Sequence, residues 1–231
     1  MKKIILLLLF FSPLMLLSSP VKFSENGKVG YKNSEGTIIV SAQFDYGADF
    51  SEGFALVVLN GKRGFINEKG EEVISLQYDD ASSFHSGLAR VAMNGKSGFI
   101  NTDGTTVIEM KYDLAGDFVD GLALVKSNGL AGFINTTGEV KIPIQYEDAF
   151  SFSEGLAAVK TDGNWGFIDE SGTFTIDAKY SFVSSFDNGE AVVQKGDEEI
   201  YIDKSGKKTR EFFDEEAEEH RKSMRIHRKI F

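Results

Sequence analysis

The 231-residue sequence has no cysteine, only three histidines and a single tryptophan. Without cysteine the chain can form no disulfide, no thiolate metal site and no acylated anchor. The serines include no Gly-x-Ser-x-Gly nucleophile motif. We therefore predict a protein that is not an enzyme and has no cofactor. Its fold must be held together by apolar packing and by hydrogen bonds between strands.

Positive charge is also scarce, since 25 lysines and arginines face 35 aspartates and glutamates and the net charge is −10. An acidic surface repels the phosphate backbone, so we expect no nucleic-acid partner. Residues 1–19 contain Lys2 and Lys3, an apolar run from Ile4 to Phe11 and terminal serines. This run is too short to span a bilayer, which takes ~18 residues, and the layout is typical of a secretory signal peptide. Cleavage near Ser18 predicts a periplasmic or extracellular protein, and an uncleaved membrane anchor is the alternative.

Glycine and phenylalanine are abundant, and they recur in a motif first complete at Gly64–Gly70. The motif Gly-Phe-Ile-Asn or Gly-Phe-Ile-Asp returns every 34 residues, which indicates a tandem array of equivalent units across residues 20–206. The full units begin at Gly30, Gly64, Gly98, Gly132 and Gly166, and a partial unit begins at Ile200.

Each unit contains the signals of antiparallel strands. The dipeptide Asn60-Gly61 and its equivalents predict two-residue type I′ hairpins. This turn fixes the register, so that Val57 faces Gly64, Ala55 faces Ile66 and Leu56 faces Phe65. A type I turn at Asn67–Gly70 then leads to another strand near Val73–Tyr78, which gives three strands per unit. The invariant Ala, Val and Gly columns predict close approach of a neighbouring layer, and Phe84 and its equivalents should anchor the intervening loop.

The segment Gly155–Gly172 resembles the bacterial WG-repeat family, also called KWG repeats, whose consensus is Trp-Gly-Tyr/Phe-Ile-Asp followed two residues later by Gly. The resemblance extends from Lys22 to about Gly206, although tryptophan occurs only at position 165. It implies an exported or multidomain bacterial protein and assigns no catalytic residue.

Two architectures fit an all-β array of 34-residue units. We favour an open array whose partial terminal units act as caps, because three strands are one short of a propeller blade. Propeller-like closure is the alternative. Residues 207–231 are rich in Lys, Arg and Glu, and their apolar residues recur at helical spacing. We predict a C-terminal helix that docks on the last unit, with contact to an anionic membrane surface as the second interpretation.

The recurring acidic residues Asp45, Asp79, Asp113 and Glu147 are interpreted as turn formers that cap backbone N–H groups, and no metal site is predicted. The hairpin register places Trp165 opposite Lys160, and Arg63 occupies the position of Trp165 in an earlier unit. Because this pair varies between units, we predict a solvent-facing stripe and name Trp165, Lys160 and Arg63 as candidate binding residues.

These features predict a monomeric, exported, non-catalytic scaffold that binds a protein partner in the cell envelope or outside the cell. A carbohydrate or cell-wall binding module, with an envelope glycan as its ligand, is the alternative. A glycosidase-like enzyme is the third hypothesis, and it would require a pair of exposed carboxylates in one cleft.

Overall fold

The computed structural model describes residues 19–211, which form twenty-three strands in six antiparallel sheets. The first sheet contains β1 (Val21–Glu25), β2 (Lys28–Lys32) and β3 (Ile38–Phe44). Most of the predicted signal segment and residues 212–231 of the predicted tail lie outside the described residues.

The other five sheets have four strands each, in the order short strand, two hairpin strands and outer strand. The second sheet contains β4 (Tyr46–Gly47), β5 (Phe54–Leu59), β6 (Lys62–Asn67) and β7 (Glu72–Tyr78). The third contains β8 (Asp80–Ala81), β9 (Leu88–Met93), β10 (Lys96–Asn101) and β11 (Thr106–Tyr112). The fourth contains β12 (Leu114–Ala115), β13 (Leu122–Ser127), β14 (Leu130–Asn135) and β15 (Val140–Tyr146). The fifth contains β16 (Asp148–Ala149), β17 (Ala157–Thr161), β18 (Asn164–Ile168) and β19 (Phe174–Tyr180). The sixth contains β20 (Phe182–Val183), β21 (Glu190–Lys195), β22 (Glu198–Asp203) and β23 (Lys208–Glu211).

The predicted all-β repeat is confirmed, but the count of three strands per unit is wrong for these five sheets. A two-residue strand lies in the segment predicted to be a loop, as where Tyr46 pairs with Val58 and Gly47 pairs with Val57. Two residues are too few to show the alternation that identifies a strand. Three strands per unit were a reason to disfavour a propeller blade, and with four strands per sheet that reason no longer holds.

The hairpin predictions are confirmed in detail. Asn60 and Gly61 have φ values of 52° and 76°, as a type I′ turn requires. Val57 pairs with Gly64, and the other predicted partners of this hairpin also match. The motif glycine is needed for a reason the sequence did not reveal. A Cβ on Gly64 would lie 2.5 Å from the carbonyl oxygen of Ile74, because the pairing of β7 with β6 is irregular around Gly64 and brings the β7 backbone against it.

Successive sheets pack face to face through two complementary surfaces. One face of each sheet carries the aromatic residue of the motif, which is phenylalanine in the four interior sheets and tyrosine in the first and sixth. The next sheet presents its small Ala and Val columns to that face. In the cluster between the second and third sheets, Phe65, Ile74 and Tyr78 pack with Ala89 and Val91. Phe84 follows as the predicted loop anchor, is fully buried and lies 4.7 Å from Phe65 between ring centroids. The close approach predicted from the small columns is thus confirmed.

Within residues 19–211 the two ends of the stack are not joined to each other. No strand pairing and no buried cluster in this range joins the first sheet to the sixth. Val21 on the first sheet is 51% exposed, whereas its repeat equivalent Ala55 is fully buried. This arrangement agrees with the predicted open array. The predicted helix is wrong where the structure describes its start, because Lys208–Glu211 form strand β23.

Candidate recognition surface

The predicted binding pair has the expected register but not the expected exposure. Lys160 pairs with Trp165 across the hairpin. Trp165 is only 8% exposed, however, and its ring lies 4.9 Å from that of Phe150. The prediction of a solvent-facing stripe is therefore wrong at this position.

The error has a physical cause in the alternation of side chains along a strand. Trp165 lies two residues from Phe167 and so points to the same face, which packs against the sixth sheet. Ser97 and Ala131 at the equivalent position are also buried. The side chain at this position therefore varies between units because its packing within each sheet varies. The sequence contained a signal of this packing. Phe150 is the only phenylalanine in its repeat column, and it occurs in the same unit as the tryptophan.

Arg63 connects two sheets. One guanidinium nitrogen donates to the carbonyl oxygen of Asp79, and Nη2 lies 3.4 Å from Oδ1 of Asp80 on the third sheet. Lys160 pairs with Asp148 on its other side. Both predicted cations therefore lie beside the first residue of a short strand.

The first residues of the five short strands form what we call the short-strand row. Its members are Tyr46, Asp80, Leu114, Asp148 and Phe182. The apolar members occur in alternate sheets and are strongly exposed, with Tyr46 at 52%, Leu114 at 43% and Phe182 at 48%. Each lies on an edge strand of its sheet. Exposed large apolar side chains at equivalent positions of a repeat array suggest a contact surface.

The two acidic members of the row are held by cations. Asp80 accepts a hydrogen bond of 2.6 Å from Nη1 of Arg90, in addition to its contact with Arg63. Asp148 pairs with Nζ of Lys126 from the fourth sheet. Burial raises the pKa of Asp148, but hydrogen bonds from Lys126 and the Ala149 N–H and the charge of Lys160 outweigh it, so the pKa lies below its usual range. Both acids are therefore paired, and their contacts with Arg63 and Lys126 tie neighbouring sheets together.

The recurring acidic residues outside this row act as predicted, and each accepts a hydrogen bond from a backbone N–H of the next hairpin. The N–H of Asn94 donates to Oδ2 of Asp79 at 2.8 Å. Asp79 also has a second partner that the sequence did not predict, Nζ of Lys62, which lies 2.5 Å from Oδ1. The hydrogen bond from Lys62 and that from Asn94 hold the pKa of Asp79 below its ordinary value. The same lysine-acid-hairpin clasp occurs at Asp45 and Asp113.

Within residues 19–211, no group of three His, Asp or Glu side chains is placed to hold a metal ion. The same range includes no helix with the length and apolar character needed to cross a membrane.

The comparison with known families rests on the repeated unit. The family described as WG containing repeat matches residues 30–62, 64–96, 98–130, 132–165 and 165–198. The chain belongs to this WG-repeat family. In this WG-repeat protein the tryptophan that gives the family its name is present once, at the buried position 165. No curated protein gives a significant match.

Several solved structures resemble the WG-repeat stack. A eukaryotic initiation factor has a TM-score of 0.54 at 12% identity, over 85% of this chain and 62% of that chain. Hsv2p from Kluyveromyces lactis has a TM-score of 0.49 at 11% identity, over 80% and 71% of the two chains. A protein of unknown function from Bacteroides caccae has a TM-score of 0.31 at 15% identity, over 84% and 93%. At such low identity the likeness to the initiation factor concerns the fold alone.

Proposed function

We propose that this WG-repeat protein is a non-catalytic scaffold that is exported and binds a protein partner through the short-strand row. The observation that carries the proposal is the strong exposure of Tyr46, Leu114 and Phe182 at equivalent edge positions. The residues that recur from unit to unit are buried in the packing between sheets. Residues that differ between units and stay exposed are therefore the ones available for recognition.

The chemistry of the row favours a protein over other partners. Two aromatic residues and a leucine supply rigid apolar contacts, the kind that dominate protein interfaces when they become buried. The acids Asp80 and Asp148, each paired with a cation, lie between these apolar residues and would form part of the polar rim of such an interface. Leu114 at the centre of the row has no flat ring on which a sugar could stack.

The direct test is a photo-crosslinking experiment in the envelope fraction of cells that express the full chain. A crosslinking amino acid at position 114 should capture a defined partner, and the same residue at Val107 on the outer strand should not. The triple variant Tyr46→Ser, Leu114→Ser, Phe182→Ser should lose capture by a crosslinker placed at Gln194, which pairs with Phe182.

A matched control is available on the outer strands, where Val73, Val107 and Val140 are 40%, 41% and 47% exposed. Their triple change to serine should leave capture unchanged, and both triple variants should melt close to the parent. Equal capture by the two variants would contradict the proposed surface, even if a partner exists.

Carbohydrate binding is the second candidate, supported by the exposed rings of Tyr46 and Phe182. It predicts sedimentation of the protein with purified cell-wall polymer, loss of this property in Tyr46→Ala and Phe182→Ala, and no loss in Leu114→Ser. Trp165→Ala is not a test of this candidate, because it would remove buried packing. A glycosidase-like activity has less support, because Asp80 and Asp148 are each engaged by cations and lie two sheets apart.

Export is proposed from the N-terminal sequence and needs its own test. Fractionation of cells with N-terminal sequencing of the recovered protein should find it outside the cytoplasm and cleaved near Ser18. A cytoplasmic protein would overturn the location without affecting the proposed row. Full-length protein retained in the membrane fraction would support the uncleaved anchor.

A further inference from the structure

The two end faces of the stack differ from the interior in a consistent way. At every internal interface the cluster includes an isoleucine from the later sheet, and at four of the five it includes an isoleucine from the earlier sheet. Between the fifth and sixth sheets these are Ile202 and Ile176. Within residues 19–211 the first sheet has no sheet before it and the sixth has none after it, and we call these two surfaces the free faces. In the repeat register, the residue equivalent to Ile202 on the free face of the first sheet is Lys32. The residue equivalent to Ile176 on the free face of the sixth sheet is Arg210.

Both cations lie across an aromatic ring of their own sheet. Nζ of Lys32 is 6.0 Å from the centroid of Phe23, and the guanidinium carbon of Arg210 is 3.5 Å from the centroid of Tyr201. Arg210 is also held in place by Glu190, whose Oε2 is 2.8 Å from Nη2. The rings that would otherwise continue the sheet-on-sheet packing are thus covered by charge.

A second pair of charges repeats the pattern with the opposite sign. In the cluster between the first and second sheets, Val29 and Leu59 pack at the margin. Their repeat equivalents on the free end faces are Glu199 on the sixth sheet and Glu25 on the first, and both are exposed. A head-to-tail junction between two copies would therefore bring Lys32 towards Arg210 and Glu25 towards Glu199.

We propose that the stack carries an interface for a second copy of this chain at each end, and that these like-charged residues prevent its use. A heterologous contact of this kind does not close on itself, so each added copy would present a new free end and generate a fibre. Burial of like charges against one another opposes the contact at each junction. Continuity with the five internal interfaces identifies the second copy as the occupant.

The test restores the interior residues at the ends of the full chain. The fourfold variant Glu25→Leu, Lys32→Ile, Glu199→Val, Arg210→Ile should sediment with a weight-average mass at least twice that of the parent, rising with concentration. The parent should sediment as a monomer. Lys111→Ile is the control, because it replaces an exposed cation on β11 away from both ends and should leave the mass unchanged.

Two half-variants separate head-to-tail contact from other association. Glu25→Leu with Lys32→Ile changes only the first sheet, and Glu199→Val with Arg210→Ile changes only the sixth. Each alone should remain monomeric, and their mixture should form a one-to-one dimer. Self-association of either half-variant, or a folded fourfold variant that stays monomeric, would overturn the proposal. Circular dichroism and thermal melting establish that each variant is folded.

Discussion

At the scale of single residues, the motif glycine is fixed by a contact inside its own sheet. The outer strand is paired irregularly at this point and approaches so closely that a Cβ on Gly98 would lie 2.4 Å from the carbonyl oxygen of Ile108 and 2.7 Å from two further backbone atoms. A backbone segment cannot move aside as a flexible side chain can. This contact explains why glycine returns at each full unit and why Ile200 is possible in the sixth sheet, where β23 pairs differently.

Gly98→Ala should therefore lower the free energy of unfolding by about 3 kcal/mol through overpacking. Gly116→Ala is the matched control, because its nearest atom is a serine hydroxyl at 3.1 Å and its backbone conformation suits any residue. Urea denaturation measures both. Equal stability of the two variants would show that β11 can shift to accommodate the methyl group.

The lysine-acid clasps make stability depend on pH. The pKa of Asp79 in the folded protein lies below its ordinary value of 3.8, because of the hydrogen bonds from Lys62 and from the Asn94 N–H. A carboxyl group with a lowered pKa stabilises the folded state above its unfolded pKa, and this contribution is lost as the pH falls through the folded pKa. Asp45 and Asp113 behave in the same way.

Asp79→Asn should consequently be less stable than the parent at pH 7, with a difference that shrinks below about pH 4. Denaturant midpoints measured from pH 7 to pH 2 give this comparison. Glu109→Gln, which changes an exposed carboxyl on β11, should shift the curve little at any pH. A constant difference between Asp79→Asn and the parent across the whole range would contradict the linkage.

At the scale of elements, the unit is a four-stranded sheet whose first three strands are joined by two two-residue hairpins. Both hairpins use residues with positive φ, as at Asn60-Gly61 and at Glu52-Gly53. The second one places a carboxylate where it accepts hydrogen bonds from the backbone N–H groups of Ser86 and Gly87 in the following unit. The lysine of the clasp at Asn60-Gly61 is replaced by Leu130 in a later unit, and in the next unit Asn164 replaces the lysine and Ser181 replaces the acid.

Leu130→Lys should rebuild the missing clasp, because position 130 has the same relation to Glu147 that Lys62 has to Asp79. We expect a small rise in melting temperature that disappears at high salt, since the pair is exposed to solvent. Leu130→Gln is the control, because it removes the exposed apolar side chain without adding charge. A rise that persists in high salt, or one shared by the glutamine variant, would show that it comes from removing the exposed leucine and not from the ion pair.

The repeat period, the hairpin turns and the strand register could be predicted because each depends on local sequence. Asn60-Gly61 fixes both the turn and the pairing of Val57 with Gly64. The two-residue strands could not, because their pairing depends on a hairpin partner ten or more residues away. The exposure of Trp165 was misjudged for a related reason. Variation between units suggested solvent contact, whereas the position faces a neighbouring sheet and adapts to Phe150.

At the scale of the whole molecule, stability should be the sum of units and of the interfaces between them. Each sheet is contacted by its neighbours in sequence, and five buried clusters join six sheets. In such a stack an interior unit can be removed, because the two sheets on either side of it carry the same complementary faces and can pack against each other directly. A closed ring differs, since its curvature fixes the number of units that fit.

Deletion of residues 98–131 tests this difference, because it removes one 34-residue period and joins Ser97 to Gly132 in the correct register. The shortened chain should fold into five sheets with four interfaces, and its denaturant m value should fall by about one fifth. Deletion of residues 98–114, half a period, should abolish cooperative unfolding, because it brings unlike columns together. Failure of the full-period deletion to fold would mean that the ends of the array depend on a fixed number of sheets, as in a ring.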